Sequence, residues 1–187
     1  MAAILEIPEV RRRVSPLTVE EYHRLDEFNE NGRRTELIRG FVIEKMPKSP
    51  LHCTISALLY DLLTAQVPSG YVVWKERPLT LADSEPEPDI CVTLGQKTDF
   101  ATAHPSTAEL VIEVAVSSIE LDCENASLYA EAGVKEYWIV LVLERQIEVY
   151  RRLENKRYQE KRLVAANDLL MCSILPSVSI RIADLFG

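Results

Sequence analysis

Leu110-Val111-Ile112-Glu113-Val114-Ala115-Val116 is the most apolar run of the chain, and one carboxylate stands in the middle of it. The run is short and rich in β-branched residues. Pro105-Ser106-Thr107 and Ser117-Ser118 bound it, which predicts a buried central strand. Residues two apart on a strand share a face, so Glu113 faces the same way as Val111 and Ala115. A strand with a wet side would alternate, and this one does not. An unpaired buried carboxylate costs several kcal/mol even after relaxation, so a cation, a metal or a buried donor is expected beside Glu113. The competing reading is an edge strand whose outer face is apolar.

Outward from that strand the chain alternates helices and strands. Residues 1–16 read as a loose arm ending at Ser15-Pro16, and residues 17–187 as a single domain. Thr18 with Glu21 has capping-box spacing and opens a helix to about Asn29, which Asn31-Gly32 closes. Short strands follow near 35–39 and 41–46. Ile55, Leu58, Leu59, Leu62 and Leu63 form one apolar stripe on a helix over about 51–67. Strands are predicted at 71–75 and 88–94, separated by an acidic loop whose Glu85 and Glu87 read as a solvated turn. A helix over about 122–132 ends at Gly133 as a left-handed cap. The hairpin 136–143 with 146–152 and two or three further strands complete an α/β or α+β pattern with a mixed sheet.

Composition frames the chemistry. With 187 residues, 47% hydrophobic and 27% charged, the chain reads as an ordinary globular protein with a sizeable core. It shows no membrane-spanning run and no signal-peptide pattern, so the cytoplasm is the expected compartment. Cys53, Cys91, Cys123 and Cys172 are scattered without a CxxC pair and read as small core residues in a reducing compartment. The formal net charge of −8 argues against a dedicated nucleic-acid binder, yet leaves room for an enzyme with a local basic groove. Basic clusters lie at Arg33-Arg34 with Arg39, at Arg151-Arg152, and at Lys156-Arg157 with Lys161-Arg162. The last two groups straddle a hairpin turn at Glu154-Asn155, where solvated charges are expected anyway.

Asp89 is the second carboxylate of interest. It follows Pro88 at the start of Ile90-Cys91-Val92-Thr93-Leu94, and a strand, a loop and a return strand fit the interval to Glu113. On neighbouring strands the two carboxylates would converge. Two hard oxygen ligands beside waters suit Mg²⁺ or Mn²⁺, and such a metal would polarise a phosphoryl oxygen and acidify a water. For Asp89 alone, a loop or cap role is the plainer reading. His52, opening the second helix, reads as a phosphate contact or an acid, with a capping role as the alternative. Lys75 and Glu76, near a strand end, could line the same site. His23 and His104 show no partner spacing and read as solvated. Trp74, Tyr137 and Trp138 read as core.

The order Pro88-Asp89 … Glu113-Val114-Ala115 resembles the PD-(D/E)XK nuclease signature. More specifically, the chain resembles the Uma-type restriction endonuclease family of that superfamily. The matching stretches are Thr18-Val19-Glu20-Glu21-Tyr22, Glu36-Leu37-Ile38-Arg39-Gly40, Ser49-Pro50-Leu51-His52, Glu85-Pro86-Glu87-Pro88-Asp89, Leu110-Val111-Ile112-Glu113-Val114 and the run from Tyr129 to Val140. They stand in the family's order over about residues 17–186. The resemblance implies a restriction-endonuclease-like core with a central mixed β-sheet flanked by helices. It also implies Mg²⁺-dependent phosphodiester hydrolysis, Asp89 and Glu113 as metal ligands, and Glu36 as a further acidic residue near them.

The chain departs from the pattern at one charge. The signature's Lys is Ala115 here, and the position on the following helix to which that Lys migrates in the family corresponds to Asn125, four residues before Tyr129. Asn is neutral and cannot supply the cation that stabilises a transferring phosphoryl group. Lys75, Lys45 or Arg39 could substitute. Two classes of function follow: a metal-dependent DNA endonuclease, or a catalytically impaired nuclease fold acting as a regulatory or protein-interaction module. Hydrolysis of a small phosphate ester is a third, weaker reading. A homodimer is also expected, built on the apolar 137–142 and 146–150 hairpin.

Overall fold

Capping chemistry starts a helix after Thr18, where the sequence predicts it. Glu21 N–H donates to Thr18 Oγ1 at 3.2 Å while Thr18 N–H donates to Glu21 Oε2 at 2.8 Å, the reciprocal capping box. The computed structural model describes residues 7–26, 32–116, 119–165 and 167–186. The expected helix end near Asn29, its stop at Asn31, the Ser117-Ser118 boundary and the Cys123 side chain lie outside the described residues. The chain divides into two compact units, residues 1–45 with 82–85, and residues 46–81 with 86–187.

The first unit holds helices α1 (Pro8–Arg11) and α2 (Val19–Asp26) and the antiparallel strands β1 (Thr35–Ile38) and β2 (Phe41–Glu44). The expected loose arm therefore contains a short helix, opened by Pro8 at a position where its missing N–H is harmless. Arg39 and Gly40 turn the β1–β2 hairpin with φ of 53° and 78°. A Cβ at Gly40 would lie 2.3 Å from Pro16 Cβ, so only glycine fits. The acidic loop corrects the sequence reading. Glu85 is buried, its N–H donates to Leu37 O at 2.7 Å, and its carboxylate meets His23 Nε2 at 2.7 Å. Neither Glu85 nor His23 is the freely solvated group expected, because a backbone bridge to β1 pulls the loop inward.

The second unit carries the central sheet. Its strands are β3 (Tyr71–Lys75), β4 (Ile90–Leu94), β5 (Leu110–Ala115), β6 (Glu136–Leu141), β7 (Gln146–Glu154) and β8 (Arg157–Val164), hydrogen-bonded in sequence order. Only β5 and β6 run parallel, and helix α4 (Ile119–Glu131) is the crossover between them. Helix α3 (Pro50–Gln66) begins at Ser49, whose Oγ accepts from His52 N–H at 3.2 Å, with Pro50 in the first turn. Strands β9 (Leu169–Met171) and β10 (Ser179–Arg181) form a small separate pair.

The apolar runs of β5 and β6 are explained by burial of the sheet on both faces. On one face Ile112, Val114, Trp138 and Val140 pack with Ile55, Leu59 and Leu63 of α3. On the other, Val111, Ala115, Tyr137 and Ile139 pack with Ala126 and Tyr129 of α4. Of the predicted α3 stripe, Leu58 is instead exposed. Cys91 and Cys172 are buried as expected, whereas Cys53 is exposed.

The interaction surface expected from the apolar hairpin is used inside the fold. The β6–β7 hairpin offered as a dimer face has Tyr137, Trp138, Ile139, Val140, Ile147 and Val149 fully buried, so its apolar side chains serve the core. Cations of β7 and β8 are paired across those strands, Arg151 with Glu160 at 2.6 Å and Lys161 with Glu148 at 2.9 Å. Glu136, fully buried on β6, accepts from Trp138 Nε1 at 2.8 Å and from Ser173 N–H at 2.8 Å, tying the segment after β9 to the sheet. Both carboxylate oxygens face donors, so Glu136→Gln must point its amide nitrogen at one of them. The expected loss is about 1–3 kcal/mol of stability, measured by urea denaturation. An unchanged midpoint would show that this contact holds nothing.

Candidate functional site

Asp89 and Glu113 meet where the pairing of β4 with β5 ends. The antiparallel register pairs Cys91 with Val111 and Ile90 with Ile112, so the next step sets Asp89 opposite Glu113. The two residues are interlocked through the backbone. Asp89 N–H donates to Glu113 Oε2 at 3.1 Å, and Val114 N–H donates to Asp89 Oδ2 at 2.8 Å. The strand predicted from Pro88 starts at Ile90, so Asp89 sits in a bend and its side chain is free of strand alternation. The convergence of the two carboxylates is as the sequence spacing implies.

The two carboxylates are served by different helices. Glu113 keeps the face of Val111 and Ala115 and is half-buried rather than fully enclosed. Tyr129 of α4 donates its hydroxyl to Glu113 Oε1 at 2.9 Å, so a buried donor compensates the charge. Asp89 instead meets the N-terminal end of α3. Lys48 Nζ lies 2.7 Å from Asp89 Oδ1 and 3.0 Å from Glu76 Oε1, and His52 Nε2 lies 3.0 Å from Asp89 Oδ2. Glu76 follows β3 with a left-handed φ of 51°, and its N–H donates to Asp89 O at 3.1 Å. Non-glycine residues adopt that conformation uncommonly.

Electrostatics follow from these contacts. Burial pushes the Asp89 carboxyl up, but the His52 hydrogen bond and the Lys48 ammonium outweigh it and hold the group down at about 2. Burial also works against the Lys48 charge, and Asp89 and Glu76 outweigh that in turn, raising its pKa. Asp89 is therefore ionised at neutral pH and can only accept, so His52 Nε2 carries the proton in their bond. His52 Nδ1 is buried without a hydrogen-bond partner among the described residues. That nitrogen faces no solvent, so in this arrangement His52 orients Asp89 and is no general base. Burial and the Glu113 charge push the Cys91 thiol up to about 12, which removes it as a nucleophile.

The other predicted site residues are placed less centrally. Asn125 is buried on α4, one turn before Tyr129 and on the same helix face, but it brings no charge. Lys75 is exposed at the end of β3 and, among the described residues, makes no ion pair with Asp89 or Glu113. Glu36 belongs to the first unit, where Lys45 Nζ lies 3.5 Å from its carboxylate. Arg39 there reaches Asp83 at 3.7 Å. The lysine that touches Asp89 is Lys48, which sequence reasoning missed. The only signal for it is its place directly before the Ser49-Pro50 helix start.

The donor chemistry fits a hard divalent cation. Asp89 and Glu113 supply two anionic oxygens, and Mg²⁺ is commonly held by one or two carboxylates with water and substrate phosphate completing the shell. Among the described residues no group of three or more His, Cys, Asp or Glu side chains is arranged around one metal position. The protein's share would thus be two ligands.

A family model described as "Putative restriction endonuclease" (Uma2) matches residues 19–183. The chain is also similar to the crystal structure of "a putative nuclease belonging to DUF820" from Anabaena variabilis. The two align with a TM-score of 0.76 and 21% identity over 91% of this chain and 98% of that one, a likeness of fold. No curated protein matched the chain.

The depressed Asp89 pKa has a stability consequence of definite sign. Its stabilising contribution is present above the unfolded value of about 3.9 and is lost as pH falls through the folded value of about 2. Between those limits the wild type is expected to lose about 2 kcal/mol that Asp89→Asn does not lose, measured as the difference of their urea-unfolding free energies against pH. Parallel curves would mean that Asp89 is not held ionised by Lys48 and His52.

Proposed function

The chain belongs to the Uma2 family, and from that membership we propose that it is a metal-dependent DNA endonuclease hydrolysing phosphodiester bonds, with Asp89 and Glu113 holding Mg²⁺ or Mn²⁺. The observation that carries the reading is the interlocked pair itself, with the Glu113 carboxylate accepting from Asp89 N–H and the Asp89 carboxylate from Val114 N–H. A divalent cation bound there supplies Lewis acidity at a phosphoryl oxygen and an acidified water as nucleophile. The chain's own residues do the positioning. Val114 N–H and His52 fix the direction of Asp89, and Tyr129 fixes Glu113. Side chains locked in this way cost no reorganisation during reaction.

Nucleic acid must approach a chain with a formal charge of −8, so local cations carry the encounter. Exposed Lys75 is a phosphate contact in this reading, and Glu36 remains a further acidic group by resemblance alone. We place the activity in the cytoplasm. No helix among the described residues is long and apolar enough to cross a membrane. A homodimer is part of this reading by resemblance to restriction-like nucleases, because the apolar side chains of the β6–β7 hairpin serve the core. The regulatory-module reading rests on Asn125, a neutral side chain on the Tyr129 face of α4.

Cleavage of plasmid DNA with Mg²⁺ or Mn²⁺ separates these readings. The wild type is expected to cut, and Asp89→Ala and Glu113→Ala to lose roughly 10²-fold or more of the rate with folding intact by circular dichroism. A folded wild type that does not cut, together with an Asn125→Lys variant that does, would move the protein to the impaired class. Undiminished cutting by both carboxylate variants would remove these residues from the chemistry.

A further inference from the structure

The four oxygens of Asp89 and Glu113 are unequally engaged. Asp89 Oδ2 accepts from Val114 N–H and from His52 Nε2, which uses both of its acceptor positions. Glu113 Oε1 and Oε2 accept from Tyr129 and from Asp89 N–H. Asp89 Oδ1 meets the Lys48 ammonium at 2.7 Å. Any ligand that Asp89 takes while keeping its bonds to Val114 and His52 must therefore come to Oδ1, the oxygen that Lys48 holds.

Lys48 is built to leave. It lies outside α3, one residue before the Ser49 cap, and its ammonium sits on a flexible four-carbon stem with three rotatable donors. Its second partner, Glu76, stands 3.0 Å away on the other side, so it can release Asp89 without losing all compensation. His52, by contrast, is fixed in the first turn of α3. A divalent cation and an ammonium repel when they share a carboxylate oxygen, and the repulsion is strong in a site this enclosed.

We infer that Lys48 is the exchangeable cation of this site: it neutralises Asp89 when no metal is bound and cedes Oδ1 to a divalent metal, which frees its ammonium for a nucleic-acid phosphate. The inference rests on the metal-dependent reading above and deepens it. It supplies from the start of α3 the positive charge missing at Ala115 and Asn125. It also makes that charge conditional on metal occupancy, so that phosphate recognition and metal loading are coupled.

Two measurements on the full-length protein test this. Calorimetric Mn²⁺ titration is expected to show Lys48→Met binding at least about tenfold more tightly than the wild type, because a competing cation is gone. Acetylation of the wild type, read by mass spectrometry, is expected to label Lys48 severalfold faster at saturating Mn²⁺. Lys135, paired with Glu109 and clear of Asp89 and Glu113, serves as the unchanged reference. Equal Mn²⁺ affinities, or Lys48 labelling that ignores bound Mn²⁺, would overturn the exchange and leave the metal site standing. Absence of binding in both proteins would overturn the exchange and the metal site together. If Lys48→Met does not fold, the labelling of the wild type decides alone.

Discussion

Everything in the second unit that bears on function depends on one reciprocal contact, the pair of backbone-to-carboxylate hydrogen bonds that couples Asp89 to Glu113 and Val114. Main-chain donors are fixed by the sheet, so the carboxylates inherit the rigidity of β4 and β5 instead of relying on their own rotamers. The arrangement also answers the cost of placing two anions side by side. Each accepts from a main-chain N–H just beyond the last paired residues of β4 and β5. The end of the β4–β5 pairing and the assembly of the site are thus one event.

The two faces of the sheet then treat the pair differently. On the α4 face a neutral hydroxyl, Tyr129, serves Glu113 inside a tyrosine-rich packing layer in which Tyr129 and Tyr137 lie 4.9 Å apart. On the α3 side a lysine and a histidine serve Asp89 at the helix N-terminus, where partial positive charge from unpaired N–H groups already favours an anion. One carboxylate is anchored by geometry and the other by charge. Asp89 is therefore the member with a charged, exchangeable partner, and Glu113 the member held by a neutral hydroxyl.

Much of this was legible in the sequence because it follows local rules. Thr18 with Glu21 writes a capping box, Ser49-Pro50 writes a helix start, and the apolar run around Glu113 writes a strand buried on both faces. The meeting of Asp89 with Glu113 follows from two strands and a return. Contacts between residues far apart in the chain leave no local trace. Lys48 and Asp89 are separated by 41 positions and Glu85 and His23 by 62, and no periodicity marks either pair. The apolar hairpin is ambiguous for a related reason. Apolar residues on a hairpin read the same whether a partner chain or the protein's own core covers them.

The Lys48, Glu76, Asp89 and His52 cluster is weak as a stabilising device. Burying two ions costs several kcal/mol each, and their attraction repays this only with good geometry and further hydrogen bonds; apolar residues of similar volume often serve a fold as well. The α3 side of this unit already contains a continuous core from Ile55 to Leu63, so stability alone gives no reason to set an ion cluster at its edge. Adding a residue held at positive φ, Glu76, makes the arrangement costlier still. Apolar side chains could have closed the end of the sheet more cheaply, but they could not hold a charge in readiness. The cluster makes physical sense as a poised electrostatic site, which is the ground on which the exchange proposed for Lys48 stands.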